Sequence, residues 1–171
     1  MDLSDYKDKL VVLKFRTMWE YRNVIEQLSH DTKHLGANVI WFLTAAVMDF
    51  EIPDAQMPQN KVPSNAPMNI TLMPTPKIRN IVRGIIGKAP TMCCFKLETD
   101  PNVLIQRAKV LLDEPTMADA VVANILDQRY DRVEIVFPDS TSKKIDAKKE
   151  SIEKEIVDAL IQVHHRKASR C

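Results

Sequence analysis

Apolar positions change their spacing several times along the 171-residue chain, and each change marks a predicted element. Residues 10–15, Leu-Val-Val-Leu-Lys-Phe, are β-branched and almost uniformly apolar, the pattern of a strand buried on both faces. From 19 to 35 the spacing turns helical, with Trp19, Val24, Ile25, Leu28 and Leu35 recurring and Gly36 supplying the stop. A dense run around Val39, Ile40, Trp41, Phe42 and Leu43 then reads as a second strand over 38–46. Strand, helix and strand in this order predict a right-handed βαβ unit.

Six of the ten prolines fall within residues 53–76, where periodicity disappears. Each proline fixes φ and removes a donor, so this stretch is expected to be an extended arm. Its apolar residues Met57, Val62, Met68, Ile70, Leu72 and Met73 predict that it lies on another protein surface, either a different subunit or a second copy. Helical spacing resumes over 77–86, with Ile78, Ile81, Val82, Ile85 and Ile86 before Gly87. A strand follows over 91–97, and two helices over 102–112 and 117–130 form a predicted hairpin around Glu114-Pro115. Residues 132–137 alternate as a strand with one wet face, Pro138-Asp139-Ser140-Thr141 makes a turn, and 147–165 is an amphipathic helix carrying Ile152, Ile156, Leu160 and Val163. The expected architecture is a single α/β domain over 1–171, a central mixed sheet with flanking helices, a long Pro-rich loop and a helical insertion.

Composition narrows the class. Apolar residues at 45% and charged residues at 27% can build a folded core, while a net charge of +1 gives no general drive toward nucleic acid or anionic membranes. The longest apolar run, 39–48, is about half the ~20 residues that span a bilayer, so no membrane partner is expected. The charged start, residues 1–9, lacks the pattern of a secretory signal. Three cysteines at 93, 94 and 171 have no zinc spacing, which predicts a reducing intracellular compartment, cytoplasmic or nuclear.

Two stretches resemble the thioredoxin-like family. Val11-Val12-Leu13-Lys14-Phe15-Arg16-Thr17-Met18-Trp19 is similar to its first core strand and the tryptophan before the redox motif, and Ala89-Pro90-Thr91-Met92-Cys93-Cys94-Phe95-Lys96 to its cis-proline strand. The resemblance implies a thioredoxin-like fold. Glu20-Tyr21-Arg22-Asn23 stands where the family carries Cys-x-x-Cys, so it also implies a domain without redox activity.

Candidate chemistry is sparse. Cys93 and Cys94 point to opposite faces of a strand and are expected to be small buried residues; a thiol-dependent oxidoreductase using them is the alternative. His30 and His34 share a helical face with Asp31 nearby but lack the fuller metal-binding pattern, and no metal is expected. His164 and His165 adjoin Arg166, Lys167 and Arg170, a basic tail that could touch phosphate in a ribonucleoprotein. Asp49, Glu51 and Asp54 read as solubilising loop acids, Trp19 and Trp41 as core, and three glycines form no phosphate-cradling loop. No catalytic or cofactor-binding residue stands out. The expectation is therefore a non-enzymatic structural or interaction subunit of a larger assembly, a virus or phage particle component among the alternatives.

Overall fold

The structure is a computed structural model that describes residues 6–65, 67–146 and 151–169. Helix α1 spans Met18–Thr32 and starts at a capping box, in which the Thr17 hydroxyl accepts from the Glu20 amide while the Glu20 carboxylate returns to the Thr17 amide. A 3-10 turn, Lys33–Asn38, leads into strand β1, Ile40–Leu43. Two short strands, β2 at Phe50–Glu51 and β3 at Met73–Pro74, pair antiparallel and clasp the base of the proline-rich arm. Helix α2 occupies Ile78–Ile86 and stops at Gly87, whose φ of 71° lies where other residues are strained.

Strand β4, Thr91–Glu98, is followed by helix α3, Pro101–Lys109, which Asp100 caps and Pro101 opens. Strands β5 (Ala120–Ile125), β6 (Arg132–Val136) and β7 (Ser142–Asp146) then precede helix α4, Ile152–Ala168. The sheet order is β1-β4-β5-β6-β7, parallel from β1 to β5 and antiparallel beyond it. Alternation divides the core: Trp41, Met92, Cys94, Val121 and Ala123 pack under α1, α2 and α3, whereas Cys93, Ala120, Val122, Ile135 and Ile145 pack under Ile156 and Leu160 of α4. The expected central mixed sheet with flanking helices is present.

A buried polar cluster ties α2, β4, β5 and α4 together. Arg83, 5% exposed, donates to the carbonyls of Thr116, Gly87, Pro90 and Met117 and to Asp119 Oδ2 at 3.2 Å. The other Asp119 oxygen accepts from Lys167 Nζ at 2.6 Å, and the Met92 amide donates to Asp119 Oδ2 at 2.8 Å. Each buried charge thus has a partner, the condition under which burial is tolerated.

Several expectations change. Residues 10–15 form no strand and lie exposed, Val11 to 83%, so the predicted first βαβ unit does not exist. An apolar run becomes a strand only where a sheet neighbour takes up its amides, and this one has no such neighbour among the described residues. Trp19, read as core, is 55% exposed, while Trp41 is buried. The parallel crossovers instead run from β1 through α2 to β4 and from β4 through α3 to β5. In place of the second helix of the predicted hairpin, 117–130, stand β5 and a 3-10 turn at Leu126–Gln128, because Val121 and Val122 fill the middle of the sheet and tertiary burial outweighs the alanines' helical preference. Strand β7 escaped the pattern because a polar edge strand buries one residue, Ile145. The sole cis peptide among the described residues joins Glu114 to Pro115, not Ala89 to Pro90. The start of the last predicted helix, 147–150, lies outside the described residues.

Candidate functional site

The three parallel strands all end on one side of the molecule, the side where α/β sheets characteristically place ligands. There, beyond Leu43, the chain turns through Ala45 and Ala46 to Asp49, and α2 begins with no side chain capping its amino end. Between these segments and the ends of β4 and β5 lies a pocket of about 400 Å³. Cys94 and Leu111 form part of its apolar floor, and two alanines rather than larger residues leave its rim open.

Its charge is one-sided. Lys77, Arg79, Lys96 and Arg129 line the pocket against a single acid, Asp49. Asp49 bonds the Lys77 ammonium, and that bond, reinforced by Lys96 and Arg79, holds its carboxyl below the usual range. Lys96 Nζ lies 2.9 Å from Glu98 Oε1, and Arg129 packs over the Tyr130 ring at 4.4 Å while donating to the Leu126 carbonyl. Two buried atoms at the pocket have no partner among the described residues: Arg79 Nε, a donor, and Asn124 Oδ1, an acceptor. Buried polar atoms without partners are costly, and at a pocket they are groups that a bound ligand or water can satisfy; the third such atom among the described residues, Trp41 Nε1, lies in the core away from the pocket. Positive side chains, an uncapped helix start and these two unmet groups together suit a polar ligand bearing negative charge.

The residues singled out from the sequence fall elsewhere. Cys93 is fully buried on the α4 face and burial pushes its thiol far up; Cys94, on the other face, is pushed up to about 11. Thiolates are therefore disfavoured at both, which removes the physical basis for thiol chemistry. No group of metal-ligating side chains occurs among the described residues; His164 Nδ1 instead meets the Thr91 hydroxyl at 3.0 Å. Lys167 belongs to the Asp119 cluster and Arg166 Nε donates to the Gln162 carbonyl, so these two do not stand free as a tail; Arg170 and Cys171 lie outside the described residues. Met57, Val62, Met68, Ile70, Leu72 and Met73 of the arm are 38–55% exposed. Sequence reading missed the pocket almost entirely. Asp49 reads as a loop acid, and no spacing marks Lys77, Arg79, Lys96, Asn124 and Arg129 as partners; basic residues at a helix start and at strand carboxyl ends are the available signal.

The sequence model of the DNA/pantothenate metabolism flavoprotein C-terminal domain matches residues 20–163. The chain belongs to this family. It is 35% identical over 161 residues to a phosphopantothenate-cysteine ligase of Homo sapiens, covering 90% of this chain and 51% of that protein. It is also 32% identical to phosphopantothenate-cysteine ligase 2 of Oryza sativa subsp. japonica, covering 91% and 48%. Among solved structures, a Cab2 mutant in complex with phosphopantothenate-cysteine is similar at a TM-score of 0.85 and 25% identity, over 98% of this chain and 57% of that one. The chain spans about half the length of the curated relatives it matches.

These findings overturn the thioredoxin-like resemblance: the family match runs through the second stretch that suggested it, residues 89–96, while the first, residues 11–19, precedes the match and contains no strand. They also overturn the reading as a non-enzymatic, redox-inactive scaffold, since the relatives are named as ligases. The alternatives of a thiol oxidoreductase, a ribonucleoprotein factor and a virus or phage particle component have no support in them either.

Proposed function

We propose that this chain carries the acyl-substrate part of a phosphopantothenate-cysteine ligase working inside the cell, with the pocket at the ends of β1, β4 and β5 as the place where phosphopantothenate and its cysteine adduct bind. The observation that carries this reading is the pair of unmet polar atoms, Arg79 Nε and Asn124 Oδ1, in a pocket whose charge is otherwise positive. Ligation joins a carboxylate to an amine, so the substrates and product bear a phosphate, carboxylates and an amide. Lys77, Arg79 and Lys96 provide charge for the anionic ends. Asn124 Oδ1 provides an acceptor for an N–H or O–H.

In that arrangement the protein's contribution is binding and orientation. Two alanines at the rim admit the ligand close to the backbone, and the apolar floor strengthens the charged contacts around it. Calorimetric titration with phosphopantothenate-cysteine tests the reading: wild type binds, and Arg79→Ala weakens binding by about 1.5–3 kcal/mol, the worth of a hydrogen bond to a charged group. A wild-type protein that does not bind it overturns the proposal.

The arm retains its proposed role as a surface for other protein subunits or a second copy, supported by the exposure of its methionines and Ile70. Light scattering on the protein with and without residues 55–72 tests association with a second copy, and an unchanged molar mass overturns that form of the proposal.

A further inference from the structure

Lys96 enters the pocket from β4, and the group that holds it there stands two residues further along the same face of the strand. Glu98 divides its two carboxylate oxygens between two cations. Oε1 lies 2.9 Å from Lys96 Nζ, and Oε2 accepts from Arg107 Nη1 of α3 at 2.7 Å. The Glu98 side chain is 10% exposed, whereas Lys96 is 32% and Arg107 56% exposed. The hydrogen bonds from Arg107 first and Lys96 second hold its carboxyl below the usual carboxylate range. Glu98 does not itself line the pocket, and neither does Arg107.

We infer that Glu98 is a positioning residue for anion binding, a carboxylate anchored from behind by Arg107 that holds the Lys96 ammonium at the pocket wall. The inference rests on the functional reading above. A lysine loses side-chain freedom when a ligand fixes it, and one already held by a half-buried carboxylate has less left to lose. Simple charge counting gives the opposite sign, since removing Glu98 would make the pocket more positive and anions would bind more tightly. The direction of the effect therefore separates positioning from bulk electrostatics.

The test is calorimetric titration of phosphopantothenate-cysteine into wild type, Lys96→Ala, Glu98→Gln and the double variant. Expected are weakening of about tenfold for Lys96→Ala, about threefold to fivefold for Glu98→Gln, and no further weakening when Glu98→Gln is added to Lys96→Ala. The last result is one that a purely structural role would not produce. Arg107→Ala provides a second route should Glu98→Gln fold poorly, because it loosens the anchor and leaves the Lys96 pair in place; a smaller loss that again vanishes without Lys96 is expected. Tighter or unchanged binding by Glu98→Gln, or an equal loss in the presence and absence of Lys96, overturns the inference while leaving the functional reading intact. Absence of binding by wild type overturns both.

Discussion

The pocket and the arm are both reached by the same length of chain, since residues 44–77 leave β1, line the pocket, run out through the arm and return to it at α2. They differ in what holds them. Pocket groups are set by the carboxyl ends of three hydrogen-bonded strands and the start of a helix, regular elements that give the side chains there fixed positions. The arm is held at its base by the two-residue clasp of β2 on β3, with the Thr75 amide donating to the Asp49 carbonyl and its hydroxyl to the Met48 carbonyl beside it. Polar groups left unmet in the pocket and apolar groups left exposed on the arm are opposite departures from a finished fold. The first suits a small charged ligand; the second suits a larger apolar surface.

Breaking the frame behind the pocket should have the largest effect. Asp119→Ala leaves Arg83 buried without its carboxylate and is expected to cost about 3–5 kcal/mol in urea unfolding, as for other broken buried pairs. A loss below 1 kcal/mol would show that the carbonyls around Arg83 suffice alone. Next comes the loss of pocket binding in Arg79→Ala, expected without a matching loss of stability because Arg79 Nε has no partner to forfeit.

A weaker effect is expected in acid. The folded Glu98 carboxyl titrates below its unfolded value of roughly 4.3–4.5, so its contribution is complete above that value and is lost as pH falls through the depressed one. The stability gap between wild type and Glu98→Gln should accordingly close as the pH is lowered below about 4; a gap that widens would contradict the assigned sign. Smallest of all, replacing residues 55–72 by a short glycine-serine bridge should move the melting temperature by no more than a few degrees, because the described residues among them are exposed and the β2–β3 clasp already brings the ends together. A collapse of the fold would show that the arm belongs to the core.

Alkylation sharpens the contrast from another side. Cys93 and Cys94 should react slowly in the native protein at pH 8 and rapidly in urea, since both thiols are buried and titrate high.

Local rules made much of the fold legible. Helix α2 was readable from its isoleucine spacing and Gly87, β4 from its apolar run, β6 from alternation and the arm from its prolines. Each of these signals is carried by neighbours in sequence, through periodicity, capping or a fixed φ. Residues 10–15 and 117–130 misled because pattern reports what a segment can become, whereas pairing partners and burial decide what it does become. The pocket was illegible for a related reason. Asp49, Lys77, Lys96 and Asn124 come from four separate stretches, and no spacing in the sequence marks residues that meet only where parallel strands end together. The sequence alone determined the segments that can be helix, strand or arm; the tertiary structure decided which strands pair, and with that pairing it decided which charges share a site.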